Sequence, residues 1–168
     1  MNRVMGIDLS LVETGLCLLD GGDLVWKMLV KSQPDQSVKE IERIQKIART
    51  VTGYIDTYKP DLIVIEGLSY GSKNTTSLCQ LAKLNFSIEI YCHQMGHHYL
   101  IIAPTHLKKF VTGKGNAKKE VMLMKILKRY GLEFENNNLA DAYALCRLGE
   151  DYLSSCKSDF KGVKTNGN

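Results

Sequence analysis

The feature that most constrains this chain is an apolar run that ends in a lone aspartate near its start. Arg3-Val4-Met5-Gly6-Ile7-Asp8 leads into a polar turn, and Leu16-Cys17-Leu18-Leu19-Asp20 is a second apolar run. Two short apolar runs so close together predict a β-hairpin. A carboxylate where a buried strand meets its turn is costly unless a partner compensates its charge. A metal ion would be such a partner.

The same pattern occurs twice more along the chain. The run Asp61-Leu62-Ile63-Val64-Ile65-Glu66 is another apolar strand that ends in a carboxylate, and Asp141 lies near the start of an Ala/Leu-rich helix. An isolated strand-end aspartate more often caps a turn or accepts a backbone hydrogen bond. Because three such carboxylates occur at element ends, we interpret Asp8, Glu66 and Asp141 as one catalytic, metal-binding set.

Composition places the chain among globular proteins. Its 168 residues suit one domain, with 44% hydrophobic and 24% charged residues. No apolar run approaches the ~20 residues that span a bilayer, and no secretory signal is recognisable, so a cytoplasmic protein without membrane contact is expected. The five cysteines form no CxxC pair and are interpreted as reduced core residues, and the four histidines as structural.

Positive charge is concentrated in one stretch of the chain. Eight basic residues lie there, opposed only by Glu120. They are Lys108, Lys109, Lys114, Lys118, Lys119, Lys125, Lys128 and Arg129. Such a concentration indicates an anionic partner, most simply nucleic acid, although a solvated helix face is an equally good explanation on charge alone.

Hydrophobic periodicity predicts an α/β fold with a mixed five-stranded sheet flanked by helices. Predicted strands cover 3–8, 16–20, 24–30, 61–66 and 99–102. Predicted helices cover 38–58, 78–96, 103–110 and 117–130, with a last helix that ends at 153 and a basic, disordered tail over 154–168. In such sheets, sites collect at the carboxyl ends of the parallel strands, where Glu66 lies.

Several of these motifs, in this order, resemble the RuvC-type Holliday junction resolvases, which have the three-layer RNase H-like fold. The resemblance covers residues 1–153. It rests on Met5-Gly6-Ile7-Asp8 with Thr14-Gly15, Ile63-Val64-Ile65-Glu66, Ala103-Pro104, Leu107-Lys108, the run from Val111 to Lys119, and Ala140-Asp141-Ala142. The compact size is similar to that of phage-encoded members, which act in the host cytoplasm.

The resemblance implies a metal-dependent endonuclease that resolves Holliday junctions by paired symmetric nicks. Asp8, Glu66 and Asp141 would bind two Mg²⁺ or Mn²⁺ ions per active site, with Asp8 between them. The chemistry agrees, because carboxylates suit hard cations and two ions can support an in-line displacement at phosphorus.

The chain departs from the family pattern at Asn138. Members usually place a fourth, acidic or histidine ligand three residues before the last aspartate, a spacing that puts both side chains on one helix face. Asn138 would coordinate through a neutral oxygen, or Glu135 or a water would complete the site. The alternative is that Asn138 is only the helix N-cap.

The resemblance also implies the DNA-binding residues and the assembly. Lys108, Lys114, Lys118 and Lys119 match positions that hold phosphates, and Tyr70 matches an aromatic residue that stacks at the junction centre. Members act as homodimers on four-way DNA through the long helix after the Glu66 strand. That helix is predicted here over 78–96, where burial within the monomer would explain its apolar residues equally well.

Three other functions remain compatible with the sequence. Gly6-Ile7-Asp8-Leu9-Ser10 with Thr14-Gly15 also resembles the first phosphate loop of actin-like ATPases and sugar kinases, which need two such domains. A nuclease of the same fold could prefer RNA or other branched DNA. A catalytically silent DNA-binding protein would keep the fold, but the three retained carboxylates argue against it.

Overall fold

A computed structural model describes residues 2–34, 37–69 and 75–160, with side chains through Ser155. It contains five strands and five helices within these ranges. The strands are β1 (Arg3–Asp8), β2 (Glu13–Asp20), β3 (Asp23–Lys31), β4 (Leu62–Glu66) and β5 (Tyr99–Ile102). The helices are α1 (Glu40–Tyr58), α2 (Thr75–Gln94), α3 (Pro104–Thr112), α4 (Lys119–Tyr130) and α5 (Asn137–Phe160).

The strands form one mixed sheet in the order β3-β2-β1-β4-β5. β1, β2 and β3 pair antiparallel, whereas β1 with β4 and β4 with β5 pair parallel. Alternate residues of each strand enter two separate cores. One core packs against α1 and α2, and the other against α3, α4 and α5. The predicted α/β fold with a mixed five-stranded sheet between helical layers is confirmed.

Several element boundaries differ from the sequence prediction. β2 begins at Glu13 because its first residues, through Gly15, pair with the end of β1 and with β3. α2 begins at Thr75 rather than residue 78, and α5 continues to Phe160, beyond the predicted end at 153. The first part of the predicted disordered tail is therefore helical. None of the described helices has the length and apolar character needed to cross a bilayer.

α5 packs closely on the sheet at two glycines that face it. A Cβ on Gly6 would come 1.9 Å from the carbonyl oxygen of Ala142, and one on Gly15 would come 2.2 Å from that of Asn138. Any larger residue would push the helix away, since real Cβ contacts are not this short. These two glycines therefore set how closely the N-terminal half of α5 approaches β1 and β2.

Candidate active site

Strand register brings the first two carboxylates together. β1 and β4 are parallel neighbours, with Ile7 paired to Ile65, so that Asp8 and Glu66 end adjacent strands at the same edge. Strand side chains alternate between the two faces, and both carboxylates fall on the face that α5 covers. Asp8 is only 7% exposed. Glu66 is half-buried and shares a hydrogen bond with the Asp8 side chain.

The third carboxylate reaches this edge on α5. Asp141 is half-buried and precedes Ala142, the residue whose carbonyl lies against Gly6. Its charge interacts with those of Asp8 and Glu66. The three carboxylates predicted from the sequence thus form one cluster, built from β1, β4 and α5.

Burial and mutual repulsion make this cluster a poor place for uncompensated negative charge. Burial, followed by the charge of Glu66, raises the pKa of Asp8 well above its usual value. Burial likewise raises the pKa of Glu66, and burial with the charge of Glu66 raises the pKa of Asp141 to about 6. Carboxylates held this way favour either a proton or a nearby cation.

Two lysines supply part of the missing positive charge. Lys119, the first residue of α4, lowers the pKa of all three carboxylates, and Lys108 of α3 lowers those of Glu66 and Asp141. Lys119 is exposed and Lys108 half-buried, so both ammonium groups lie at the solvent side of the cluster. Their position would allow them to contact an anion that approaches the carboxylates.

Comparison with known proteins identifies the family. Residues 4–147 match the profile described as crossover junction endodeoxyribonuclease RuvC. The chain belongs to the RuvC family. It is thus a crossover junction endodeoxyribonuclease by family, as the sequence motifs predict.

Individual RuvC proteins support this assignment. Chloroherpeton thalassium RuvC is 27% identical over 162 residues, which are 94% of this chain and 87% of that protein. Corynebacterium glutamicum RuvC is 28% identical over 77% of this chain, and the match spans 60% of its length. Thermus thermophilus RuvC in complex with Holliday junction substrate aligns with a TM-score of 0.77 and 20% identity, covering 92% of this chain and 96% of that one. The latter likeness confirms the RNase H-like fold.

The residue where this RuvC chain departs from the family pattern, Asn138, is not the N-cap of α5. The backbone N–H groups of Asn138 and Leu139 donate to Oδ1 of Asn136, at 2.8 and 3.3 Å, so Asn136 is the cap. Asn138 instead donates through Nδ2 to the backbone carbonyl of Glu13 in β2. The capping alternative is therefore wrong, and any role as a metal ligand would fall to Oδ1.

Sequence reasoning missed one residue of the site, Asn85 of α2. This side chain is 6% exposed, and its Nδ2 donates to the backbone carbonyl of Glu66 at 3.1 Å. The hydrogen bond fixes the end of β4 just where the carboxylate leaves the sheet. The available signal was an asparagine between two buried apolar positions, Leu84 and Ile88, of a helix.

The turn after Asp8 is held by its own hydroxyl groups. The buried Thr14 donates through Oγ1 to the carbonyl of Ser10 at 2.8 Å and accepts from the N–H of Ser10 at 3.1 Å. Arg43 of α1 donates to the Leu11 carbonyl and, at 3.1 Å, to the Ser32 hydroxyl. This turn is therefore anchored to both β2 and α1.

Two of the other predicted residues lie just before α4, and one lies outside the described part. Lys118 is the exposed N-cap of α4, and Lys114 is exposed in the loop before it. Tyr70 lies outside the described residues. Among the described cysteines, Cys79 is exposed, so its predicted place in the core is wrong; Cys17, Cys92 and Cys146 are buried and free as predicted.

The donor chemistry of the cluster fits divalent cations. It offers three carboxylates whose raised pKa values reflect a lack of compensating charge. Across the described ranges, no three acidic, histidine or cysteine side chains already have the spacing of a formed metal site. Asp8, Glu66 and Asp141 are the residues that would hold such ions.

Proposed function

We propose that this protein resolves Holliday junctions by paired symmetric nicks, hydrolysing DNA phosphodiesters at Asp8, Glu66 and Asp141. The observation that supports this best is the cluster itself. Three carboxylates from separate elements, one buried and two half-buried, interact at one sheet edge, with Lys108 and Lys119 at its solvent side. Membership of the RuvC family gives the substrate class.

Asp8, Glu66 and Asp141 would hold two Mg²⁺ or Mn²⁺ ions, and Asn138 would contribute Oδ1. When bound, such ions supply Lewis-acid stabilisation of the phosphate charge and a water of lowered pKa. The protein's own contribution is to hold the carboxylates on three rigid elements. Asn85, Gly6 and Gly15 serve this purpose.

The surrounding basic residues would bind and orient the DNA. Lys119 and Lys108 would contact the phosphate being cut, and Lys114 and Lys118 would contact phosphates beside it. Such contacts give salt-dependent affinity with little sequence preference. Tyr70 would stack on an opened base at the junction centre.

A homodimer would present two active sites to the two symmetric strands of a four-way junction. The outer face of α2 suits this contact, because Phe86 and Ile90 are 57% and 54% exposed although both are apolar. Leu84 and Ile88 of the same helix are buried in the monomer. We place this dimer and its DNA in the cytoplasm.

Cleavage of a synthetic four-way junction, beside matched linear duplex and flap DNA, tests the proposal. We expect paired nicks on the junction with Mg²⁺ or Mn²⁺. Asp8→Asn should lower cleavage at least ~10³-fold and leave junction binding intact. Retained cutting by Asp8→Asn would contradict the catalytic assignment. Equal cutting of flaps would indicate a broader branched-DNA nuclease, and a wild type that cuts none of these DNA molecules would contradict DNA as the substrate.

A further inference from the structure

A basic groove lies on the side of the sheet opposite to Lys119. It runs between the end of β3 and the first half of α1, with a volume of about 240 Å³ at its β3 end. Four cations line it, and we call this surface the basic groove. They are Lys31, Arg43, Lys46 and Arg49.

The basic groove begins at the same sheet edge as the active site. β3 ends beside the start of β2, next to the carboxyl end of β1, and α1 starts shortly after β3. With 1.5 Å of rise per residue, Lys46 and Arg49 lie ~9 and ~14 Å along α1 from its start. Arg43 joins the two regions directly, since it bonds the carbonyl of Leu11 in the turn after Asp8.

The acidic residues of this part of α1 do not cancel the positive charge. Glu40 is turned towards α2, where it accepts from Lys83 at 2.6 Å and from Gln80 at 2.8 Å. Glu42 lies in the groove, opposed by three cations of α1.

The two outermost cations are available to a ligand. Lys46 and Arg49 are exposed, and neither forms an ion pair with any residue in the described part of the chain. Thr50, and Ser32 at the β3 end, add hydroxyl groups to the same lining. Cations with hydroxyl groups along an open groove suit a repeating polyanion rather than a small apolar ligand.

We propose that the basic groove binds the phosphate backbone of a duplex arm of the DNA as it leaves the active site. This inference rests on the proposed function and adds a second contact surface to it. Lys108 and Lys119 lie on the α3 and α4 side of the sheet, whereas the groove lies on the α1 side. An arm held on both sides would be fixed in direction relative to the carboxylates.

The test compares the same substitution, Lys to Gln, inside the groove and at the far end of α1. Lys46→Gln removes a cation from the groove, and Lys59→Gln removes one from the exposed C-cap at the opposite end of the helix. Junction binding is measured by fluorescence anisotropy in EDTA over a salt series. Lys46→Gln should weaken binding ~3-fold and lower the slope of log affinity against log salt by about 1, as for one phosphate contact. Lys59→Gln should behave as wild type.

Arm length gives the second measurement. The double variant Lys46→Gln with Arg49→Gln should lose ~10-fold in affinity for a long-armed junction. It should lose little for a junction whose arms are too short to reach the groove. Suppose that wild type binds junctions while Lys46→Gln and Lys59→Gln give equal slopes of log affinity against log salt. That result would contradict binding of DNA in the basic groove and leave the proposed function intact. A wild type without junction binding would instead overturn the proposed function and, with it, this inference.

Discussion

At the scale of single residues, the proposed ligand Asn138 is neutral, so it adds no negative charge to the three carboxylates. The carbonyl of Glu13 accepts from Nδ2 of Asn138, a bond that an ionised aspartate cannot donate. Asn138→Asp should therefore lower the Mg²⁺ concentration for half-maximal cleavage, because another carboxylate strengthens cation binding. It should also cost ~1 kcal/mol of stability. Magnesium titration of cleavage and thermal unfolding in EDTA measure the two effects, and an unchanged magnesium requirement would contradict a ligand role.

The carboxylates also make a prediction about pH. Asp141 has an unfolded pKa near 3.8 and a folded pKa of about 6, so the native state holds this proton more tightly. Its stabilising contribution is therefore present below pH 3.8 and lost as the pH rises to about 6. In EDTA, wild type should lose Tm relative to Asp141→Asn over this range, and Mg²⁺ should restore it. Parallel Tm profiles for the two proteins would contradict the raised pKa.

Part of this site can be predicted from the residue types in the sequence, and part cannot. Asp8, Glu66 and Asp141 could be predicted because each carboxylate interrupts an apolar pattern at the end of an element. Asn85 could not, since its function depends on a carbonyl 19 residues away in the sequence. Likewise, three consecutive asparagines precede or begin α5, and only the structure distinguishes the cap Asn136 from Asn138.

At the scale of elements, α2 connects an exposed apolar face to the end of β4. Asn85→Leu would leave the Glu66 carbonyl without its buried donor, which loosens the carboxylate beside it. We expect a several-fold higher Mg²⁺ concentration both for half-maximal cleavage and for half-maximal increase in Tm. The increase in Tm with Mg²⁺ can be measured without DNA and without catalytic turnover.

The control for Asn85→Leu is Ile88→Val in the same helix. Ile88 is fully buried, so this change should cost ~1 kcal/mol without touching Glu66. The Mg²⁺ concentrations for half-maximal cleavage and for half-maximal increase in Tm should match those of wild type, although the Tm itself is lower. If Asn85→Leu and Ile88→Val both raise these Mg²⁺ concentrations, Asn85 acts only through the general stability of the fold.

Element boundaries were harder to predict than the elements themselves. The strands were predictable because their apolar runs alternate between two buried faces. The start of β2 was not, because Glu13 to Gly15 pair with β1 and β3 despite a turn-like sequence. α5 extends to Phe160 although its last turns carry Ser and Lys, since a helix already packed on β1, β2 and β4 can propagate further.

At the scale of the whole molecule, the proposed dimer makes a prediction about products. Phe86→Glu with Ile90→Glu places charge on the exposed face of α2, which should convert dimer to monomer in sedimentation experiments. Paired junction nicks should then become single, uncoordinated nicks. Val25→Glu is the matched control, since Val25 is 56% exposed on the edge strand β3. A double variant that remains dimeric would place the interface elsewhere.

The close approach of α5 to Gly6 and Gly15 has a consequence for the protein during its synthesis. Asp8 and Glu66 leave the ribosome well before Asp141, by a time on the order of 10 s at ordinary elongation rates. Until α5 emerges and seats on the two glycines, the nascent sheet lacks its third carboxylate. With the proposed role of Asp141 in metal binding, the chain can acquire cutting activity only after α5 has docked on the sheet.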